Sequence, residues 1–579
     1  MAKVEKDWHE FISQPTYDKT KELKDIFIPM RDGVKLACDI YYPDADGKFP
    51  ALIAFQAFGK NHEDLQFRFP PQARPSQLWD GGLEGGNTSY LVARGYGHVV
   101  VDARGTGDSE GDYYGVMGSG RGGEGRDIYD VIEWIAQQPW CDSNVGMIGI
   151  SYLAAMQVLA AGEHPPHLRA IFPEGGHFDM YEMCYQGGIM WMMPRAFMEG
   201  RGGDSGIVLK KRMSFMKQTL SKQEFDRRIQ ERLNDPDIKA YPTFHQILKY
   251  PEFSPLWLDF VLNPCDGPFY TKAKPANNFD KIKIPVHMGC QWGRGWVVDG
   301  TISGFLSLKG PKKLVLRSAP PMQERPFHQF HDEIVRWYDH WLKGIDTGIM
   351  DEPPIKLFVH GINEWRFENE WPLSRTKWTK FYLRTRHRLL PEPEPFDTEV
   401  VPPDGFYQAP LTVTNTVGSV KYRTPALREN TEITGPCALY LHASIDTDDT
   451  NWLVRICDID PHNNRSVVTT GWLKASLREI DNAASQPWAP HHPHMRSIPV
   501  PPGRIVEYPI KVYPFSNVFK KGHSIELEVR SVESESDVDP GMPPEGGHLN
   551  SGRATTHKVF RDKAHPSYLL LPVIPAICG

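Results

Sequence analysis

The spacing of hydrophobic and polar positions changes twice along this chain, and the three textures set the expected architecture. From residue 23 to residue 172, short apolar runs alternate with helical stretches. Residues 35–42 (KLACDIYY) and 51–58 (ALIAFQAF) are apolar and bounded by Asp-Gly turn signals. Residues 98–102 (HVVVD) form a continuous β-branched run, as in a strand buried on both faces. In 127–135, Ile128, Val131, Ile132 and Ile135 share one face at helical spacing. Such alternation predicts a parallel sheet flanked by helices, an α/β fold. From about 176 to 280 the strand alternation fades, and helix-compatible segments rich in Met and aromatics take over, as in an inserted helical cap. The core pattern resumes with 285–290 (PVHMGC), a helix near 299–308, a strand at 313–318 and a helix from about 330 to 343. Beyond residue 370, prolines multiply and short alternating runs recur at 438–444, 452–459, 505–513 and 524–532, the pattern of a β-sandwich or jelly roll. The predicted division is 23–175 and 281–370 for the core, 176–280 for the cap and 375–579 for the C-terminal domain.

Within the first texture, residues 144–162 (NVGMIGISYLAAMQVLAAG) read as a strand, an abrupt turn at Ser151 and a small-residue helix. Gly149-Ile150-Ser151-Tyr152-Leu153-Ala154 is close to the G-x-S-x-G nucleophile elbow, with Leu153 at the last glycine position. A serine on such a strained turn exposes its hydroxyl, and the helix N-terminus behind it offers N–H groups to an oxyanion. The plainer reading is a Gly/Ser turn between a buried strand and a helix; the flanking pattern favours the elbow.

Composition narrows the choice. The chain has 579 residues, too many for one core. A net charge of -7 gives no basic footprint for nucleic acid. No apolar run suggests a signal peptide or a membrane span, and the eight cysteines are scattered without a C-x-x-C pair. The expectation is a cytoplasmic protein with no metal site, no cofactor and no membrane partner, and a homodimer as the default assembly. The Gly-rich stretch 118–125 lacks the Gly-Lys-Ser/Thr ending of a phosphate-binding loop.

With these residues assembled, the chain resembles the cocaine esterase / X-Pro dipeptidyl-peptidase (CocE/NonD) family of serine hydrolases over nearly its whole length. Residues 102–111 (DARGTGDSEG) are similar to that family's D-x-R-G-x-G-x-S-x-G signature, GISYLA to its elbow, and 337–344 (WYDHWLKG) to its W-F-D-x-W-L-K-G helix. Residues 516–519 (SNVF) and 565–567 (HPS) are similar to motifs of its C-terminal domain. The resemblance implies an α/β-hydrolase core, a helical cap and a C-terminal jelly roll, acting on esters or amides through an acyl-enzyme. It makes Ser151 the nucleophile and the Tyr152 backbone N–H one oxyanion donor.

Three positions depart from the family pattern. Where the family often has a tyrosine hydroxyl as second oxyanion donor, this chain has Phe58; a backbone N–H near Phe58 or Gly59, or the side chain of Gln56, Asn61 or His62, are the substitutes. Where its aspartate follows the strand matching PVHMGC, this chain has QWGRGW, and the next carboxylate is Asp299, equally suited to cap a helix. Where its histidine follows the next strand, the first histidine here is His328, expected in the loop before a helix, with His331 one turn into it. The order Ser151, Asp299, His328 keeps the chain order of the fold. Asp102 and Asp108 read as structural.

The segment 178–198 (FDMYEMCYQGGIMWMMPRAFM) is rich in Met. Trp191 and Met192, with Trp292 and Trp296, are the candidate pocket for a bulky hydrophobic group, against cap packing as the alternative. Glu174, His177, Asp179 and Glu182 lie near the core–cap junction, where the resemblance offers them to a substrate amine. The expected function is hydrolysis of a hydrophobic small-molecule ester or amide. The alternative is a member with a degenerate triad that binds a ligand or catalyses a non-hydrolytic step such as cyclisation, acyl transfer or elimination. A third reading, carbohydrate binding by the C-terminal domain, rests on the jelly-roll pattern alone.

Overall fold

The computed structural model describes residues 11–61, 84–113, 123–192, 194–195, 213–272, 274–293, 295–318, 327–534 and 547–575, with the backbone only for 327–330. The first sheet has ten strands. They are β1 (Thr20–Pro29), β2 (Lys35–Pro43), β3 (Phe49–Gln56), β4 (Gly97–Asp102), β5 (Cys141–Ile150), β6 (Leu168–Glu174), β9 (Val286–Gln291), β10 (Lys312–Arg317), β11 (Ile355–Val359) and β12 (Glu364–Glu368). Their order is β1-β2-β4-β3-β5-β6-β9-β10-β11-β12. The strands from β4 to β11 in this order run parallel, and β1, β2 and β12 pair antiparallel at the two edges.

The continuous apolar runs have a simple cause. Every residue of β3 and of β4 is buried, because helices cover both faces of the sheet. Helix α1 (Thr88–Val92) leads into β4, while α2 (Glu124–Ala136) buries Ile128, Val131, Ile132 and Ile135, the predicted face. Helix α3 (Tyr152–Gly162) is buried along nearly its whole length, which its Ala-rich composition allows by close approach to the sheet.

Between β6 and β9 the chain forms α4 (Met180–Cys184), a small hairpin of β7 (Tyr185–Gln186) and β8 (Ile189–Met190), and helices at Phe215–Thr219, Lys222–Asn234, Pro236–Lys239, Pro242–Lys249, Pro255–Val261 and Pro268–Thr271. The last four open on proline, whose fixed φ suits a first helical position. The apolar pattern suggests neither this hairpin, which at two residues per strand is too short to show alternation, nor the β11–β12 pair at the sheet edge. Two later helices start earlier than expected, at Gly295–Ser307 and Phe327–Lys343. Asp299 is therefore inside its helix and not at its cap, and His328 falls in a first helical turn and not in the preceding loop.

From Lys377–Arg384 to Tyr568–Ile574 the chain is β-rich, with eleven strands in one continuous, mostly antiparallel array. Its interior has its own apolar cluster, including Trp452, Tyr508, Leu439, Ile456 and Phe519. The protein thus consists of an α/β-hydrolase-like core and a C-terminal β-rich domain. No helix among the described residues is long and apolar enough to cross a membrane.

Candidate active site

In a parallel sheet, functional side chains collect at the carboxyl ends of the strands, where loops leave for the helices. Here the ends of β3, β5, β6 and β9 bring together Phe58, Ser151, His177 and Trp296. Ser151 stands between β5 and α3 with φ 60 and ψ -114, a left-handed conformation a serine adopts only under constraint. Its N–H donates to the Glu174 carbonyl (3.1 Å), so the neighbouring strand end fixes the turn. Sequence and structure agree on the elbow: a strained serine, half-exposed, at the N-terminus of a buried helix whose first N–H groups have no intrahelical partner.

The Ser151 hydroxyl is 2.9 Å from Nε2 of His177. His177 follows β6 in the segment Glu174-Gly175-Gly176-His177, is 7% exposed, and lies tilted over the Trp296 ring (centroids 4.5 Å apart). The Gly175 N–H donates to the Gly289 carbonyl (2.7 Å), tying this loop to β9. At Gly176 an added Cβ would sit 3.0 Å from the Ala154 Cβ and 2.3 Å from the Phe178 ring, so only glycine lets the loop pass this close to α3. A neutral imidazole Nε2 at this distance accepts the hydroxyl proton, which is the geometry of a general base on a nucleophile.

Below the loop, the Glu174 carboxylate meets the Arg317 guanidinium (3.2 Å), Arg317 bonds Glu333 (2.7 Å), and Glu333 reaches His287 (3.3 Å). Burial pushes Glu174 up, and Arg317 offsets that push. This buried row joins the ends of β6 and β10 to the helix Phe327–Lys343, and so braces the strand end that carries His177.

The other expected site residues are distributed as follows. Tyr152 is fully buried and its ring meets the edge of Phe58 (5.9 Å), so Phe58 packs beside the elbow, as a ring without a hydroxyl. Trp296 and Trp191 meet edge to face (5.6 Å), and Trp191 pairs with His548 of the C-terminal domain. The Met192 N–H donates to Gly547 (2.9 Å), so the β-rich domain closes this aromatic wall. Trp292, in contrast, is an interior residue: it is 3% exposed, and its indole N–H donates to the Phe358 carbonyl (2.8 Å).

The Asp299 carboxylate is held by Lys511 of the C-terminal domain (2.6 Å). The side chain of His328, and all of His62, Met193, Phe197 and Met198, lie outside the described residues. His331 stacks on Tyr90 (4.8 Å). Of the acidic group at the core–cap junction, Asp179 caps α4 and pairs with Lys274 (2.5 Å). Burial pushes Glu182 up to about 7.

The Arg-Gly loop has a different role. The Asp102 carboxylate accepts the backbone N–H groups of Lys60 (2.5 Å) and Asp108 (2.9 Å). At Gly107, with φ 48, a Cβ would meet the Asp102 Oδ2 at 2.1 Å, so the glycine of the motif exists to seat this carboxylate. Arg104 forks onto Asp127 (2.8 and 2.6 Å), and Ser109 links the Asp102 carbonyl to the Ala37 N–H. Lys60, 1% exposed, reaches Asp25, Asp39 and Asp108. These residues build the loop and leave the chemistry to its neighbours.

A strained serine at an elbow, with a histidine on its hydroxyl, defines an α/β-hydrolase by fold and site. The sequence matches the family model of the X-Pro dipeptidyl-peptidase (S15 family) over residues 32–320, and that of the X-Pro dipeptidyl-peptidase C-terminal non-catalytic domain over 347–570. The chain belongs to this family, and is an enzyme that hydrolyses ester or peptide-type bonds. Among its relatives, the cocaine esterase of Rhodococcus sp. (strain MB1 Bresler) is 24% identical over 95% of this chain and 98% of its own. A putative Xaa-Pro dipeptidyl-peptidase of Bacillus cereus is 23% identical over 79% of this chain and 74% of its own. The crystal structure of a CocE/NonD family hydrolase from Staphylococcus aureus superposes with a TM-score of 0.75 at 23% identity, covering 96% of this chain and 94% of that one, which establishes the shared fold.

His177 is the residue on the Ser151 hydroxyl that the sequence alone does not single out as a base. The resemblance groups it with the acids at the core–cap junction, and its one local signal is its place just after a strand end in a Gly-Gly-His turn.

Proposed function

We propose that this enzyme is a serine hydrolase that cleaves an ester or amide of a hydrophobic small molecule through an acyl-enzyme on Ser151, with His177 as the base. The observation that carries the reading is the 2.9 Å contact between the Ser151 hydroxyl and His177 Nε2 at a strained elbow. His177 takes the hydroxyl proton as Oγ attacks the carbonyl carbon, and the Tyr152 N–H at the start of α3 stabilises the oxyanion. The tetrahedral intermediate collapses, the leaving alcohol or amine takes the proton from Nε2, and water repeats the sequence in reverse to free the acid. Trp296 lies on the base, with Trp191 against Trp296, and the two favour a substrate with a flat or bulky apolar group. We read the C-terminal domain as a jelly roll that closes the wall through His548 and Gly547.

Intact-mass labelling with a fluorophosphonate tests this directly, on wild type and on Ser151→Ala, His177→Ala and His328→Ala. One adduct on wild type and on His328→Ala, with none on Ser151→Ala and slow labelling of His177→Ala, is the expected pattern. Equal labelling of His177→Ala and wild type, with loss in His328→Ala, transfers the base to His328. No adduct on wild type removes the hydrolytic reading in favour of a ligand-binding or non-hydrolytic site.

A further inference from the structure

A cavity of about 590 Å3 lies between the helical insertion and the C-terminal domain, apart from Ser151 and His177. Its size falls in the roughly 300–1,000 Å3 range of small-molecule sites. One wall is apolar, formed by Ile189 and Met190 of the β7–β8 hairpin with Leu477 and Leu549 of the β-rich domain. The rest of the lining is largely charged or polar, and its hydrogen-bonding capacity is unequal between donors and acceptors.

The two innermost acids are each bonded to four donors. Asp237, 5% exposed, accepts from Ser551 (3.3 Å), the Gly552 N–H (2.9 Å), Arg553 (3.0 Å) and Lys474 (2.8 Å). Asp449, 10% exposed, accepts from the N–H groups of Thr450 (2.9 Å) and Ser476 (2.8 Å), the Ser476 hydroxyl (2.9 Å) and Lys474 (3.1 Å). Asp449 takes two bonds on each oxygen, and Asp237 takes three on Oδ1 and one on Oδ2. The donors are not filled. Lys474 Nζ contacts two acceptors with three protons to give. Arg232, 12% exposed, gives one bond, to Asp235 (2.6 Å), and its Nε–H is buried without a partner among the described residues. The acids with capacity to spare, Asp235 and Glu231, stand further out, at 27% and 58% exposed.

We infer that this cavity is a second binding site for an amphipathic carboxylate, whose apolar body lies on Ile189, Met190, Leu477 and Leu549 and whose carboxylate takes the free donors of Arg232 and Lys474. A ligand with a donor head finds its inner acceptors already occupied; one with an acceptor-only head completes the wall. A carboxylate on a guanidinium is also the stronger, charge-assisted form of the bond.

Isothermal titration of octanoate, with octanol as the neutral control, tests the assignment on the full chain. The expected result is octanoate binding to wild type and to Ser151→Ala alike, with octanol much weaker. Arg232→Met is expected to weaken octanoate roughly ten- to hundred-fold, the worth of a hydrogen bond to a charged group. Gln230→Glu, an exposed change at the cavity mouth that leaves folding untouched, adds a like charge and weakens it too. Absence of octanoate binding to wild type, equal binding by octanol, or wild-type affinity in both Arg232→Met and Gln230→Glu would each overturn the inference. None of these results depends on the identity of the catalytic base.

Discussion

The elbow and the Arg-Gly loop beside it are both buried polar structures, and they differ in what is left over. Around Asp102 the carboxylate, Lys60, Arg104, Asp127 and Ser109 answer one another. At Ser151 the backbone is strained and the hydroxyl is half-exposed with a histidine on it. A fully answered network holds shape; one that keeps a reactive atom open to an incoming group is where the protein spends stability on chemistry. The same distinction separates two histidines. His98 has Thr88 on Nδ1 (2.9 Å) and the Gly85 carbonyl on Nε2 (3.0 Å), so it sits as a fixed neutral tautomer inside the core. His177 has its Nε2 on a nucleophile.

Breaking the two regions should therefore have different consequences. The largest effect is expected at Ser151→Ala, which should lower ester turnover by about 10^6-fold in kcat while leaving the melting temperature near wild type. His177→Ala should cost roughly 10^2- to 10^4-fold, the usual worth of a general base. Steady-state kinetics with a chromogenic ester, beside circular dichroism, measure both; a large fall in stability would move either residue to the structural side.

Lys60→Met should do the reverse. It leaves Asp39, which is 2% exposed, with Lys24 (3.3 Å) and the Asp25 N–H (2.9 Å) as its remaining partners, and should cost about 1.5–3 kcal/mol of stability, read as a lower denaturant midpoint, while the folded fraction keeps its fluorophosphonate reactivity. Loss of labelling in folded protein would show that the loop also serves the reaction.

A stability effect of at least this size follows from pH. Burial pushes His98 and His557 down to about 4. Their folded values lie below the usual 6.5, so both contribute stability that is whole above pH 6.5 and falls away as pH drops toward 4. The expected loss is on the order of 3 kcal/mol for each. Denaturant titrations at steps across that window should show the decline, and His98→Gln should flatten part of it. A flat profile in wild type would mean that other groups offset the histidines.

The smallest effect is expected at the aromatic wall. Trp296→Ala should raise KM for a benzoyl ester about ten-fold more than for an acetyl ester, in line with an aromatic contact of about 1.5 kcal/mol. Equal changes for both substrates would assign Trp296 to holding His177 alone.

Contiguous features were legible in the chain itself. The buried strands β3 and β4, the amphipathic face of α2, the elbow serine and the structural part of the D-x-R-G-x-G-x-S-x-G loop each follow from residues near in sequence. Local backbone preference, burial on two faces and turn chemistry act over a few residues, and they leave periodic marks. Helix starts were less legible, because Gly295 and Phe327 begin helices that carry no clear capping residue in the sequence. Only the tertiary structure decided which histidine meets Ser151, that Asp299 answers Lys511 from another domain, and that Trp292 is interior while Trp296 lies on His177. Those pairings join residues 26 to 212 positions apart. No periodicity records such distances, since they are set by the order in which parallel strands line up and by the domain that folds over them.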